Sequence, residues 1–174
     1  MTIRDDTRRR ADGPDSPKPA AGRGAGAWRL PVLRLPARLS GLDRIAGYVE
    51  AVVARSGLGP AAGYRLRLAV EELAANVVMH GYAGRPGELA FTGGGDGACS
   101  AWIEIEDGAP PFDPASGHRS PASHLPVSDR PIGGLGIHLA LAAADEFRYE
   151  YAAGRNRSTV TVRPHPDEGG SRHA

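Results

Sequence analysis

The segment from Ala61 to His80, AAGYRLRLAVEELAANVVMH, restricts the fold more than any other part of the chain. Leu66, Val70, Leu73 and Val77 recur at three- and four-residue steps, the period of a helix with one apolar stripe. Such a helix must bury its stripe against another layer. The same run carries Glu72 and Asn76 one turn apart, with His80 a further turn along. A packed face normally excludes carboxylates and amides, so this polar line faces solvent, a partner or a ligand. Taken alone, an i, i+4 polar pair is ordinary on a solvated face.

The surrounding sequence supplies the other layer. Leu30–Leu39, LPVLRLPARL, holds two prolines and reads as an edge strand. Ser40 is the expected N-cap of a first helix, with Asp43 in its first turn. Leu42, Ile45, Ala46, Val49, Val52 and Val53 give that helix its apolar spacing, and SGLGP ends it. After the second helix come ELAFTG and CSAWIEIED, joined through GGDGA as a hairpin. In the latter strand Ala101, Ile103 and Ile105 alternate with Trp102, Glu104 and Glu106. Residues 107–132 hold six prolines and no apolar period, so they read as a long loop. GGLG precedes a third helix over Ile137–Ala144, and EFRYEYAA and RSTVTVR form two last strands joined at GRN. This order predicts an α+β two-layer sandwich, a mostly antiparallel sheet with helices on one face.

Charge and composition narrow the function. Residues 1–30 carry seven Lys/Arg and four Asp/Glu, and the remainder carries fourteen and sixteen. The positive excess therefore lies outside the foldable part, which argues against direct nucleic-acid binding. Lys18 is the only lysine, so no Gly-Lys-Ser/Thr phosphate loop exists. No apolar run reaches the ~18 residues a membrane helix needs. No apolar segment follows the arginines near the start, so a secretory signal is not expected. Cys99 is the sole cysteine, which fits a cytoplasmic protein without an internal disulfide. Residues 1–30 are expected to be a disordered tail, 31–164 a single domain and 165–174 a second loose end.

Two further segments bear on the helix. IEIEDGAPPFDP ends a strand in Asp107, followed by small residues and prolines. A carboxylate there can accept a hydrogen bond from an exocyclic amine such as that of adenine, though an acidic strand end before a turn is also common. RPIGGLGIHLA sets Gly133, Gly134 and Gly136 just before a helix, where freed backbone N–H groups make an anion site. A plain glycine hinge is the alternative, and the spacing is not that of a Rossmann turn.

In this order and spacing, the three segments resemble the nucleotide-binding boxes of the GHKL ATPases. Within that superfamily the chain looks most like the anti-sigma-factor serine/threonine kinases, from about Val32 to Arg163. The likeness rests on LRLAVEELAANVVMHGY, DGAPPFDP, IGGLGIHLA and YEYAAGRNRSTVTV. It implies a Bergerat-type fold with ATP and Mg²⁺. Glu72 would then be the general base, with Glu71 in a less constrained place. Asn76 would hold the metal, and Asp107 would bind the adenine amine. Gly134 and Gly136 would lie against the phosphates. The family's Asp-x-Gly reads Asp107-Gly108-Ala109 here, its glycine either displaced by one place or replaced by Ala109, and Thr159 would be a weaker contact near the adenine. Residues 114–132 would form a lid, from which Arg119 or Arg130 could reach the phosphates.

The resemblance implies two partners, an anti-sigma-factor antagonist as phosphate acceptor and a sigma factor or similar regulator held inactive. It also admits a homodimer through the first strand and helix. A non-catalytic ATP-dependent binding switch and a detached histidine-kinase-type ATPase domain are the competing readings. His80 is expected to serve the helix dipole. His118 and His124 lack zinc-ligand spacing.

Overall fold

The computed structural model describes residues 26–97, 99–116 and 135–165. Strands β1 (Trp28–Arg29) and β2 (Leu33–Pro36) come first, then a single 3₁₀ turn at Leu39–Gly41. Helices α1 (Leu42–Ser56) and α2 (Pro60–Asn76) follow, and α2 runs on into a π-turn, Val77–Gly81. Next are β3 (Glu88–Gly95), β4 (Ala101–Asp107), α3 (Leu135–Ala143), β5 (Glu146–Ala152) and β6 (Arg155–Val162). The sheet runs β3-β4-β6-β5, with β1 and β2 both on the outer side of β3, and every pairing is antiparallel. No helix among the described residues is long and apolar enough to cross a membrane.

The core forms where the helical stripes meet one face of the sheet. Ile45, Val49 and Val52 of α1 and Leu66, Val70 and Leu73 of α2 are buried against Phe91, Ile103, Ile105 and Val160. Helix α3 adds Ala140 and Ala143 to the same cluster. Gly63 lets the first two helices approach closely, since a Cβ there would lie 2.8 Å from Val53 Cγ1. The mixed architecture with helices over an antiparallel sheet is the one the sequence predicts.

Several boundaries differ from expectation. Ser40 does not cap α1; it lies inside the 3₁₀ turn, and Gly41 is the N-cap without a side-chain hydrogen bond. Strand β3 continues through Gly93–Gly95, which the sequence placed partly in the turn. Glycine serves there because neighbours crowd the strand: a Cβ on Gly94 would sit 2.6 Å from both Trp102 Cζ2 and the Trp28 carbonyl. The sheet also begins earlier than Leu30. Trp28 pairs with Gly95, and Arg55 stacks over its ring at 5.3 Å. At the other end His165 hydrogen-bonds Asp145 at 2.7 Å.

The β5–β6 turn shows the most consequential shift. It consists of Ala153 and Gly154, both with positive φ, a two-residue hairpin turn. Arg155 and Asn156, expected in the connection, instead open β6.

Candidate functional site

The end of α2 is where the helix stops being regular. The Tyr82 N–H donates to the Val77 carbonyl at 2.9 Å, a five-residue reach that widens the last turn. Such π-turns often mark functional positions. Here the widened turn starts directly after Asn76 and carries His80 and Gly81 to the mouth of a cleft of about 290 Å³. The opposite wall is the turn after β4, with Asp107, Ala109, Pro110 and Phe112; Ile105, Asn156 and Ser158 line it from the sheet.

Asp107 is 4% exposed. Its Oδ1 accepts from the Ala109 N–H and from Asn156 Nδ2, both at 2.8 Å. No described residue donates to its Oδ2. The side chain of Asn76 likewise has no hydrogen-bond partner among the described residues. A cleft lined by these two groups presents one acceptor at its sheet side and one amide at its helix side. These groups fit a purine bearing an exocyclic amine and a magnesium ion, which takes oxygen donors and few protein ligands.

Tyr82 holds the turn to the rest of the domain. Its hydroxyl accepts from the Gly108 N–H at 2.8 Å and donates to the Glu88 carbonyl at 2.9 Å. Its ring occupies the space a side chain at Gly87 would need. Ala109 is accommodated by a second small residue: its methyl faces Gly81, where a Cβ would lie 3.1 Å away. The alanine in place of the expected glycine is thus matched across the cleft. Arg85, also at the mouth, donates to the carbonyls of Tyr82 and Gly81.

Glu72 sits one turn before Asn76 and is packed against α3. A Cβ on Gly136 would overlap Glu72 Oε2. The neighbouring Glu71 points elsewhere, into an ion pair with Arg67 at 2.8 Å. Of the two glutamates, only Glu72 meets Gly136. Thr159 requires a correction. It pairs with Glu104 and Arg148, and the period-two alternation of β6 puts it on the face away from the helices. Ser158 is the hydroxyl on the cleft side. Arg119, Arg130, Gly133, Gly134, His118 and His124 lie outside the described residues.

Residues 35–163 match the model of the histidine kinase-like ATPase domain. The chain belongs to this family. No curated protein matches it. Among solved structures, the RsbU and RsbW domains of Rv1364c from Mycobacterium tuberculosis are similar, with 21% identity and a TM-score of 0.48 over 77% of this chain. The match spans 32% of that longer chain. In this ATPase domain, the residues that sequence reading missed are Tyr82, Asn156 and Ser158. The alternation of β6 could have found Ser158, because Val160 and Val162 fix which face is inward. Nothing local in the sequence marks Tyr82 or Asn156 as part of the site, since the partners that tie them to it, Gly108 and Asp107, lie 26 and 49 residues away.

Proposed function

We propose that this ATPase domain is a protein kinase of the anti-sigma-factor type, moving the γ-phosphoryl group of ATP to a serine or threonine of an antagonist protein. One observation carries the reading. Asn76 and Asp107, whose Oδ2 takes no hydrogen bond from a described residue, line one cleft, while Glu72, a turn back on the same helix, meets Gly136 at the start of α3.

The roles follow from the chemistry of each group. Asp107 Oδ2 accepts from the base amine and sets which nucleotide enters. Asn76 Oδ1 would hold Mg²⁺ together with phosphate oxygens and water. Held there, the metal would neutralise phosphate charge. Glu72 takes the proton of the acceptor hydroxyl as its oxygen bonds to the γ-phosphorus, and ADP leaves with the bridging oxygen. The first turn of α3, at Leu135 and Gly136, would offer its free backbone N–H groups to the phosphates. The same domain would hold a sigma factor or similar regulator inactive in the cytoplasm, with nucleotide state selecting between the two partners.

A second reading is an ATP-dependent binding switch without transfer. It is favoured by Glu72 lying outside the residues that line the cleft. The test is transfer of labelled γ-phosphate to a purified antagonist by wild type and Glu72→Ala. Transfer by wild type alone supports the kinase. ATP-dependent partner binding by both, with no label moved, supports the switch. Equal transfer by both removes Glu72 from its role.

A further inference from the structure

Asn156 is a buried polar side chain beside the cleft for which the proposed chemistry has no use. We infer that Asn156 is a positioning residue for base recognition, its amide fixing the Asp107 carboxylate so that one oxygen, Oδ2, faces the amine of the base. The inference rests on the reading of the cleft as an adenine-nucleotide site.

The orientation of the amide is set by its surroundings. One side of it faces the Phe112 N–H at 3.3 Å and the Tyr149 hydroxyl at 2.7 Å. A backbone N–H can only donate, so the atom facing it is the carbonyl oxygen. The NH₂ is then turned to three acceptors: Asp107 Oδ1 at 2.8 Å, the Ala109 carbonyl at 3.1 Å and the Pro110 carbonyl at 3.3 Å. The reverse orientation would set donor against donor and oxygen against three oxygens. Burial, chiefly, with the nearby Asp113 and Asp107 carboxylates pushes the Tyr149 hydroxyl above its usual range, so it remains a neutral donor.

Asp107 and Asn156 are directly opposite across the β4–β6 ladder, so their side chains rise from the same face. Two donors, the Asn156 amide and the Ala109 N–H, converge on Oδ1 and fix the plane of the carboxylate. Both residues are 4% exposed, so little water competes for these bonds. Rotation of the Asp107 carboxylate would break both bonds. The oxygen left over, Oδ2, is then held in one orientation on a residue that lines the cleft.

The test is equilibrium binding of ATP and ITP to the full chain, since ITP carries an oxygen where ATP carries the amine. Wild type, Asn156→Asp and Tyr149→Phe are compared at about pH 6 and about pH 8, the span in which a raised carboxyl titrates. Asn156→Asp keeps the shape and the acceptor toward Tyr149 and Phe112, but sets an oxygen against Asp107 Oδ1. At the higher pH its affinity for ATP should fall about ten- to a hundredfold, with a much smaller change for ITP. At the lower pH a proton shared by the two carboxyls replaces the lost N–H, and the preference for ATP returns. The sign follows from like charges raising the pair's upper pKa, so the benefit exists below it and is lost above it.

Other groups near the pair are Tyr149, Tyr151 and Asp113 on one side, Tyr82 and Arg155 at Gly108, and His80 and Arg85 across the cleft. All remain in the variant, so the change relative to wild type is the quantity read. Tyr149→Phe removes the hydroxyl that donates to Asn156 Oδ1 and accepts from the Phe112 N–H at 3.1 Å, leaves that N–H the Asn156 oxygen, and should reduce the ATP preference a few-fold. Wild type binding both nucleotides equally overturns the adenine-site reading itself. Wild type preferring ATP, with Asn156→Asp losing both nucleotides equally at both pH values, overturns the positioning role alone. If Asn156→Asp does not fold, an unchanged preference in Tyr149→Phe overturns it.

Discussion

Gly136 lies so close to Glu72 that a Cβ on the glycine would overlap the carboxylate oxygen Oε2 and stand 3.2 Å from Cδ. This contact joins the second helix to the start of the third, the two elements between which the phosphates are proposed to lie. The crowded atom is the far end of a flexible side chain. Gly136→Ala should therefore fold, with a thermal midpoint at or slightly above that of wild type because alanine favours the helix. The displaced carboxylate should lower phosphate transfer by at least about tenfold, on the scale of losing an aligned base. Transfer assays and a thermal melt on the same preparation check both parts.

The two adjacent glutamates should behave differently. Glu71 is engaged with Arg67, which also reaches Glu50 at 3.3 Å. Glu72→Gln should reduce transfer by about a hundredfold or more while nucleotide binding persists. Glu71→Gln should leave transfer unchanged. Equal losses in the two variants would show that neither is the base.

Asn76 is the amide on the helix side of the cleft. Asn76→Ala should bind ATP equally well with and without Mg²⁺, whereas wild type should bind more tightly with the metal. Titration calorimetry in the presence and absence of a chelator distinguishes these outcomes.

Tyr82 supplies the acceptor for the Gly108 N–H. Tyr82→Phe keeps the ring over Gly87 and removes only the hydroxyl. Loss of this part-buried bond should cost about 0.5–1.5 kcal/mol of stability, and ATP affinity should fall because the Asp107 turn loosens. Denaturant unfolding reads the first effect and nucleotide titration the second.

Asp145 contributes to the acid limb of stability. Burial opposes its ionisation, but hydrogen bonds from His165, the Arg163 N–H and Arg65 outweigh burial and hold its carboxyl below the usual range. A carboxyl depressed in the folded state adds stability above its unfolded pKa, and that stability is lost as pH falls through the folded value. Wild type should therefore lose more of its thermal midpoint than Asp145→Asn on acidification below about pH 4, where an ordinary aspartate protonates. The two should differ most near neutral pH, with wild type the more stable.

The helices were legible because their evidence is local and periodic. Leu66, Val70 and Leu73 are one face wherever the helix lies, and they are buried as that spacing requires. Asp107 ending a strand was equally readable from the alternation of Ala101, Ile103 and Ile105. Ends of elements were harder. GRN reads as turn sequence, yet Arg155 pairs with Ala152 of β5 and Asn156 with both Tyr151 and Asp107, which keeps the two residues in the strand. Gly94 and Gly95 read as a turn for the same reason, but they answer to the crowding of Trp28 and Trp102.

The sequence by itself determined the layers and the family, since helix period, strand alternation and the order of three short segments survive without coordinates. Only the tertiary structure decided which oxygen of Asp107 stays open, which glutamate meets Gly136, and which hydroxyl of β6 faces the cleft. Those choices depend on hydrogen bonds and contacts between residues dozens of positions apart. A periodic pattern names the face of an element, whereas the atoms that meet across that face are fixed by packing.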